Sequence, residues 1–176
     1  MFGQGDPIIL FNGASDSMDV WDPSLLKGIS SNHTVIAFDQ RGIGNTTIGS
    51  KPYTMLQLAN DTAGLLDALK IQQANVFGYS LGSEIAQQLT VSHPDKVNRL
   101  ILVASSCGGK DGTPKPPEFL KLQAEIVNNV SISQEEMKSL VSASLGSGWI
   151  RLHPESLDLP ENMTLLQSKP GLTLKQ

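Results

Sequence analysis

Asn75-Val76-Phe77-Gly78-Tyr79-Ser80-Leu81-Gly82-Ser83-Glu84-Ile85-Ala86 decides how this chain is read. A short apolar run meets a G-x-S-x-G pattern, and apolar residues then recur at helical spacing through Ile85, Ala86 and Leu89. In a chain with this much Gly and Ser the bare five-residue pattern arises by chance roughly one time in six, so the strand-turn-helix setting carries the argument. On such a turn the serine sits at the tip with strained backbone angles. Gly78 and Gly82 are required because strand and helix approach too closely for a Cβ. The Ser80 hydroxyl then projects at a helix N-terminus, where free N–H groups favour developing negative charge, and the Leu81 amide becomes an oxyanion donor.

Outward from this turn, Pro7–Phe11, Thr34–Phe38 and Arg99–Val103 are further short apolar runs bounded by turn residues. With Asn75–Phe77 they predict four strands buried on both faces. Between the second and third strands, Thr54 and Gln57 have capping-box spacing, and Met55, Leu58, Ala59, Leu65, Leu66 and Leu69 predict a helix. The helix after Ser80 should stop near His93-Pro94. Strands alternating with helices imply right-handed crossovers and a parallel sheet, the α/β class. Beyond residue 109, Gly and Pro break the pattern, so residues 1–109 read as one core. Residues 110–176 read as a helical cap and tail, with stripes at Phe119, Leu122, Ile126, Val127 and at Met137, Leu140, Val141, Leu145. The Ser133/Glu136 pair caps the second stripe, and no clear period follows from about Leu152.

Composition excludes several classes. The net charge is −4, and no Lys/Arg cluster offers a footprint for nucleic acid or anionic lipid. No run reaches the ~18 apolar residues of a membrane span, and residues 1–15 lack a signal-peptide pattern. Cys107 is the only cysteine, which excludes an internal disulfide; it reads as a small buried hydrophobe. Asn32, Asn45, Asn60, Asn129 and Asn162 each begin an N-x-S/T site where chance gives roughly one or two, a weak pointer to export that leaves the compartment open.

Two loops bear on the chemistry. Asn12-Gly13-Ala14 follows the first strand, where a turn would bring the Ala14 amide toward Ser80 as a second oxyanion donor; its structural alternative is a plain Asn-Gly turn. Asp39-Gln40-Arg41-Gly42-Ile43-Gly44-Asn45-Thr46 follows the second strand and reads as structural, with Asp39 and Arg41 anchoring the loop as a pair.

Phe11-Asn12-Gly13, the D-x-R-G-x-G-x-T loop, Gly78–Gly82 and His93-Pro94-Asp95-Lys96-Val97 together resemble the α/β-hydrolase superfamily across residues 3 to about 108. The resemblance implies a serine esterase or lactonase type of enzyme that needs no cofactor and takes a small-molecule substrate. It implies a helical cap at residues 110–176, and it places the triad acid and histidine on strands later than those visible here. Many members carry His at the position of Asn12, so Asn should keep the turn while changing the polarity near the substrate. Two strands should precede Gly3 and two should follow the cap, and neither pair is visible. The chain alone is therefore expected to turn over little substrate and to associate through uncovered edges. An alternative triad, Ser80, Asp111 and His153, has the right chain order, although His153 also reads as an exposed cap residue. His93 reads as closing a helix and His33 as lying in a turn. The competing functional class is a non-catalytic fragment or binding protein that keeps the fold.

Overall fold

A computed structural model describes residues 1–108, 112, 114, 117, 120–121, 133–145 and 147–158. They fall into two compact units, one within Met1–Thr113 and one within Pro114–Pro170. The first carries β1 (Phe2–Gly3), β2 (Asp6–Phe11), α1 (Pro23–Ser30), β3 (His33–Ala37), α2 (Met55–Ala68), β4 (Ala74–Tyr79), α3 (Leu81–Ser92) and β5 (Val97–Val103). The sheet order is β1-β3-β2-β4-β5, parallel throughout except for β1, which pairs antiparallel with β3.

Alternation along the strands builds the three layers. Ile9, Phe11, Ile36 and Val76 face α2 and α3, where they meet Leu58, Ala59, Leu66, Ile85, Ala86 and Leu89. Ile8, Leu10 and Val35 face the other way, toward Leu26 and Ile29 of α1 and the indole of Trp21. In α2, Thr54 accepts from the Gln57 amide at 3.1 Å, but the Gln57 side chain reaches Asp61 instead of closing the box. Leu69, expected on the inward stripe, is exposed.

Four sequence expectations are corrected. The sheet has a fifth strand, the two-residue β1, which begins before Gly3. The run Arg99–Val103 is a strand, but not one buried on both faces: Ile101, Leu102 and Val103 are 44%, 38% and 39% exposed, because β5 forms the edge of the sheet. Cys107 lies past that edge strand and is exposed, not buried. His33 is the first residue of β3 and not part of a turn. The helix α1 was not read from the sequence, although Asp22-Pro23 is its start signal: Asp22 caps the Ser24 and Leu25 amides and Pro23 occupies the first turn.

In the second unit, α4 (Gln134–Leu145) begins with a reciprocal capping box, as the Ser133/Glu136 spacing predicts. The Ser133 amide donates to Glu136 at 2.7 Å and the Glu136 amide to Ser133 Oγ at 3.2 Å. A short α5 (Ser147–Leu152) and a 3₁₀ turn (Pro154–Leu157) follow, so the stretch after Leu152 is not wholly irregular. The stripe at Phe119, Leu122, Ile126 and Val127 and the tail from residue 159 lie outside the described residues. Among the described residues no helix is long and apolar enough to cross a membrane.

Because Ile85 is fully buried between α3 and the sheet, Ile85→Ala should lower unfolding free energy by about 2–5 kcal/mol in urea titration. Ile85→Val should cost about 0.5–1.5 kcal/mol.

Candidate active site

The chain leaves β2 toward β3 on one side of the sheet and leaves β4 toward β5 on the other. Between two adjacent parallel strands whose connections diverge in this way, a crevice opens at the carboxyl ends. The residues bordering it are Asn12-Gly13-Ala14 after β2 and Ser80 after β4.

Ser80 joins β4 to α3 with φ 53 and ψ −121, a left-handed backbone that a non-glycine residue adopts only under constraint. The constraint is visible in its neighbours. A Cβ on Gly78 would lie 2.6 Å from Gly82 O and from Ser83 Cα. A Cβ on Gly82 would lie 2.5 Å from Asn12 O and closer still to Phe11 O. The first turn of α3 is thus in backbone contact with the ends of both β4 and β2, a contact only glycine permits. Ser80 N donates to Val103 O at 2.9 Å, and Ser83 Oγ returns to Ser80 O at 2.6 Å. The Ser80 side chain makes no capping bond, and among the described residues its hydroxyl has no hydrogen-bond partner.

Tyr79, on the other side of the elbow, lays its ring along Gly13, within 3.4–3.5 Å of where a Cβ would stand. Asp16 Oδ2 would lie 2.6 Å from that same Cβ. Burial pushes the Asp16 carboxyl above its ordinary value, and a hydrogen bond from the Gly13 backbone only partly offsets this. Ala14 is half-buried on the same loop, and Ser15 beside it also has positive φ. Asn12 is fully buried, and its amide is spent on protein partners: Asp16 O and Phe38 O at 3.3 Å, and the Trp21 indole N–H at 2.6 Å. The expected change of polarity toward a substrate is therefore not seen; the Asn12 amide points into the protein.

In the loop after β3, Asp39 and Arg41 do not pair with each other. Asp39 accepts from the Met18 and Asn45 amides at 2.8 and 3.0 Å, joining this loop to the one after β2. Arg41 forms a bidentate pair with Asp61 of α2 at 2.6 Å for both bonds and donates to Ile48 O. Gly42 takes φ 76, as the tight turn requires. A cavity of about 460 Å³ lies beside this pair, lined by Phe38, Thr46, Thr47 and Leu65 among others. The segment after β5 is pinned by Gln87, which donates to Ser105 Oγ and Ser106 O at 2.9 Å.

The histidines are placed as follows. His93 ends α3 and meets Asn60 Oδ1 at 2.8 Å. His153 belongs to the second unit, half-exposed, stacked on Trp149 with Nδ1 3.1 Å from Glu155. Asp111 lies outside the described residues. Trp21, Gln40, Asp16 and Asp61 were missed by sequence reasoning; each acts through a partner distant in sequence or through burial, which no local pattern reports. Among the described residues no group of three His, Cys, Asp or Glu is disposed to hold a metal ion.

The profile of a family described as alpha/beta hydrolase fold matches residues 6–145. A poly(3-hydroxyalkanoate) depolymerase of Ectopseudomonas oleovorans is 34% identical over 118 residues, covering 67% of this chain and 41% of the depolymerase. A pimeloyl-[acyl-carrier protein] methyl ester esterase of Aeromonas hydrophila is 35% identical over 106 residues, 60% of this chain and 40% of the esterase. The solved structure of Est816, an N-acyl homoserine lactone degrading enzyme, superposes with a TM-score of 0.65 at 29% identity, covering 89% of this chain and 57% of Est816. The chain thus spans about two fifths of the length of those curated relatives.

Two measurements bear on this geometry. Gly82→Ala should destabilise by at least about 1–3 kcal/mol, since backbone on both sides must shift, and a denaturation curve checks it. Asp16 binds its proton more readily folded than unfolded, so stability should fall as pH rises from its ordinary value of 3.8 through its raised folded value. Asp16→Asn should therefore be the more stable protein at pH 7, with its advantage shrinking as the pH is brought down to that range.

Proposed function

The chain belongs to the alpha/beta hydrolase fold family, and on that footing we propose that it supplies the nucleophile and oxyanion site of a serine hydrolase acting on an ester or lactone bond of a small molecule. The observation that carries this reading is Ser80 itself: a serine held at φ 53 at the N-cap of α3, at the sheet's topological switch point, with a hydroxyl that bonds none of the described residues. A merely structural turn would favour glycine or asparagine at that backbone geometry.

In this reading Ser80 Oγ attacks the carbonyl carbon while a histidine takes its proton. The carbonyl π electrons move to oxygen, and the amides of Ala14 and Leu81 hold the resulting oxyanion, helped by the dipole of α3. Collapse of the intermediate expels the alcohol, protonated by the same histidine, and leaves an ester on Ser80. Water, deprotonated in turn, attacks that ester, releases the acid and restores the hydroxyl. The histidine and its orienting acid are assigned outside the residues bonded to Ser80 here; the pair Asp111 and His153 is the alternative within this sequence. The similar methyl ester esterase and the lactone-degrading neighbour support the substrate class.

The test is labelling with a fluorophosphonate probe and hydrolysis of short-chain p-nitrophenyl esters, for the wild type and Ser80→Ala. Ser80→Ala should remove labelling and whatever turnover the wild type shows, low as that is expected to be. Turnover that survives both Asp111→Ala and His153→Ala excludes that pair; its loss in both assigns it. Equal labelling of the wild type and Ser80→Ala, with a small ester still bound, would make the chain a binding protein on a hydrolase fold.

A further inference from the structure

From the pattern of buried hydrogen bonds around Asn12, we infer that Asn12 and Trp21 are a positioning pair that braces the loop Gly13–Ser17 and thereby aims the Ala14 amide. Asn12 has no exposed surface and Trp21 is 9% exposed. The Asn12 side chain offers two N–H donors and one oxygen, and all are used on groups that meet nowhere else. One donor takes Asp16 O, within the loop; the other takes Phe38 O, just past β3; the oxygen takes the indole N–H of Trp21, just past the 3₁₀ turn Met18–Val20. The backbone carbonyl of Asn12 is held in addition by Gln40 Nε2 at 3.1 Å.

The residue type follows from this valence. Aspartate has the shape but no donors when ionised, and would leave the part-buried carbonyls of Asp16 and Phe38 without their donor. Neutral histidine has one donor and would leave one. Leucine would strand all three partners. The far end of the loop is held independently, because the Met18 amide donates to Asp39 Oδ1 at 2.8 Å. Between these two anchors Ser15 is kept at φ 65. A loop strained at one non-glycine residue and tied on both sides has one conformation available, and Ala14 lies within it. Trp21 also packs edge-on against Phe77, with ring centroids 5.5 Å apart, so its indole could be read as core filling alone. The bond from its N–H to Asn12 at 2.6 Å separates the two readings. The effect on Ser80 chemistry rests on the hydrolase reading; the bracing does not.

Amide exchange followed by NMR tests this in the whole protein. In the wild type the Trp21 indole N–H should exchange at least about 100-fold more slowly than that of Trp149, whose partner Ser156 Oγ is exposed. Trp21→Phe keeps one aromatic ring and removes the donor together with the pyrrole part of the indole. In it the amides of Asp16, Met18 and Val20 should exchange roughly tenfold faster, while those of Ile9 and Val76 keep their protection. Fluorophosphonate labelling of Ser80 should slow by a similar factor. Unchanged exchange at Asp16, Met18 and Val20, or a uniform loss that includes β2 and β4, overturns the bracing. An indole N–H of Trp21 that exchanges as fast as that of Trp149 overturns it too, even where the variant does not fold. If the loop loosens as expected while Ser80 is inert in both proteins, the bracing stands and the hydrolase reading falls.

Discussion

The contact on which the rest of this structure depends is made by two glycines that have no side chains to make it with. At Gly78 and Gly82 the first turn of α3 rests on the backbone of β4 and β2, at separations that a single Cβ would fill. A helix brought that close to its own strand cannot be reached by an ordinary loop, so one residue must reverse the chain with positive φ, and that residue is Ser80. The cost, of order 1–3 kcal/mol, is met by the burial of Ile85, Ala86 and Leu89 on the inner face of α3. The elbow is therefore a property of the packed helix as much as of the pentapeptide.

The loop facing Ser80 is controlled by different physics. Its two ends are tied by directional polar bonds, a buried one between Trp21 and Asn12, part-buried ones from Asn12 to Asp16 and Phe38, and an exposed one from Met18 to Asp39. Such bonds add little net stability in themselves, but around the buried Asn12 they make alternatives expensive, because its displaced polar atoms would remain buried and unpaired. Asp39 also reaches Asn45, and Arg41 reaches Asp61 of α2, so the loop after β3 supports the loop after β2 from behind. Close packing fixes one wall of the crevice, and directional bonding fixes the other.

Much of this was legible before the coordinates. The four parallel strands, the helices α2 and α3, the elbow and the Ser133/Glu136 box were all written in local patterns of apolar spacing, capping residues and glycines. Several of the errors share one cause. An apolar run such as Leu100–Val103 says that a strand forms but not whether a neighbour lies beyond it, so the edge position of β5 and the exposure of Cys107 could not be read. Asp39 and Arg41 stand two apart and invite pairing, yet their partners lie at Met18, Asn45 and Asp61. Trp21 carries no local signal of its role, because its N–H partner, Asn12, lies nine residues away. What depends on a contact between distant residues was hidden; what depends on period or turn chemistry was visible, and in α1 it was visible but overlooked.

The left-handed backbone at Ser80 carries a consequence on an evolutionary scale. Glycine at this position would adopt the same angles without strain, so every sequence with this elbow lies one substitution from a more relaxed native state. A lineage no longer in need of a hydroxyl there would be drawn by stability alone toward Ser80→Gly, and nothing else in the core would resist the drift. The elbow thus holds a serine at a position where backbone strain alone favours glycine.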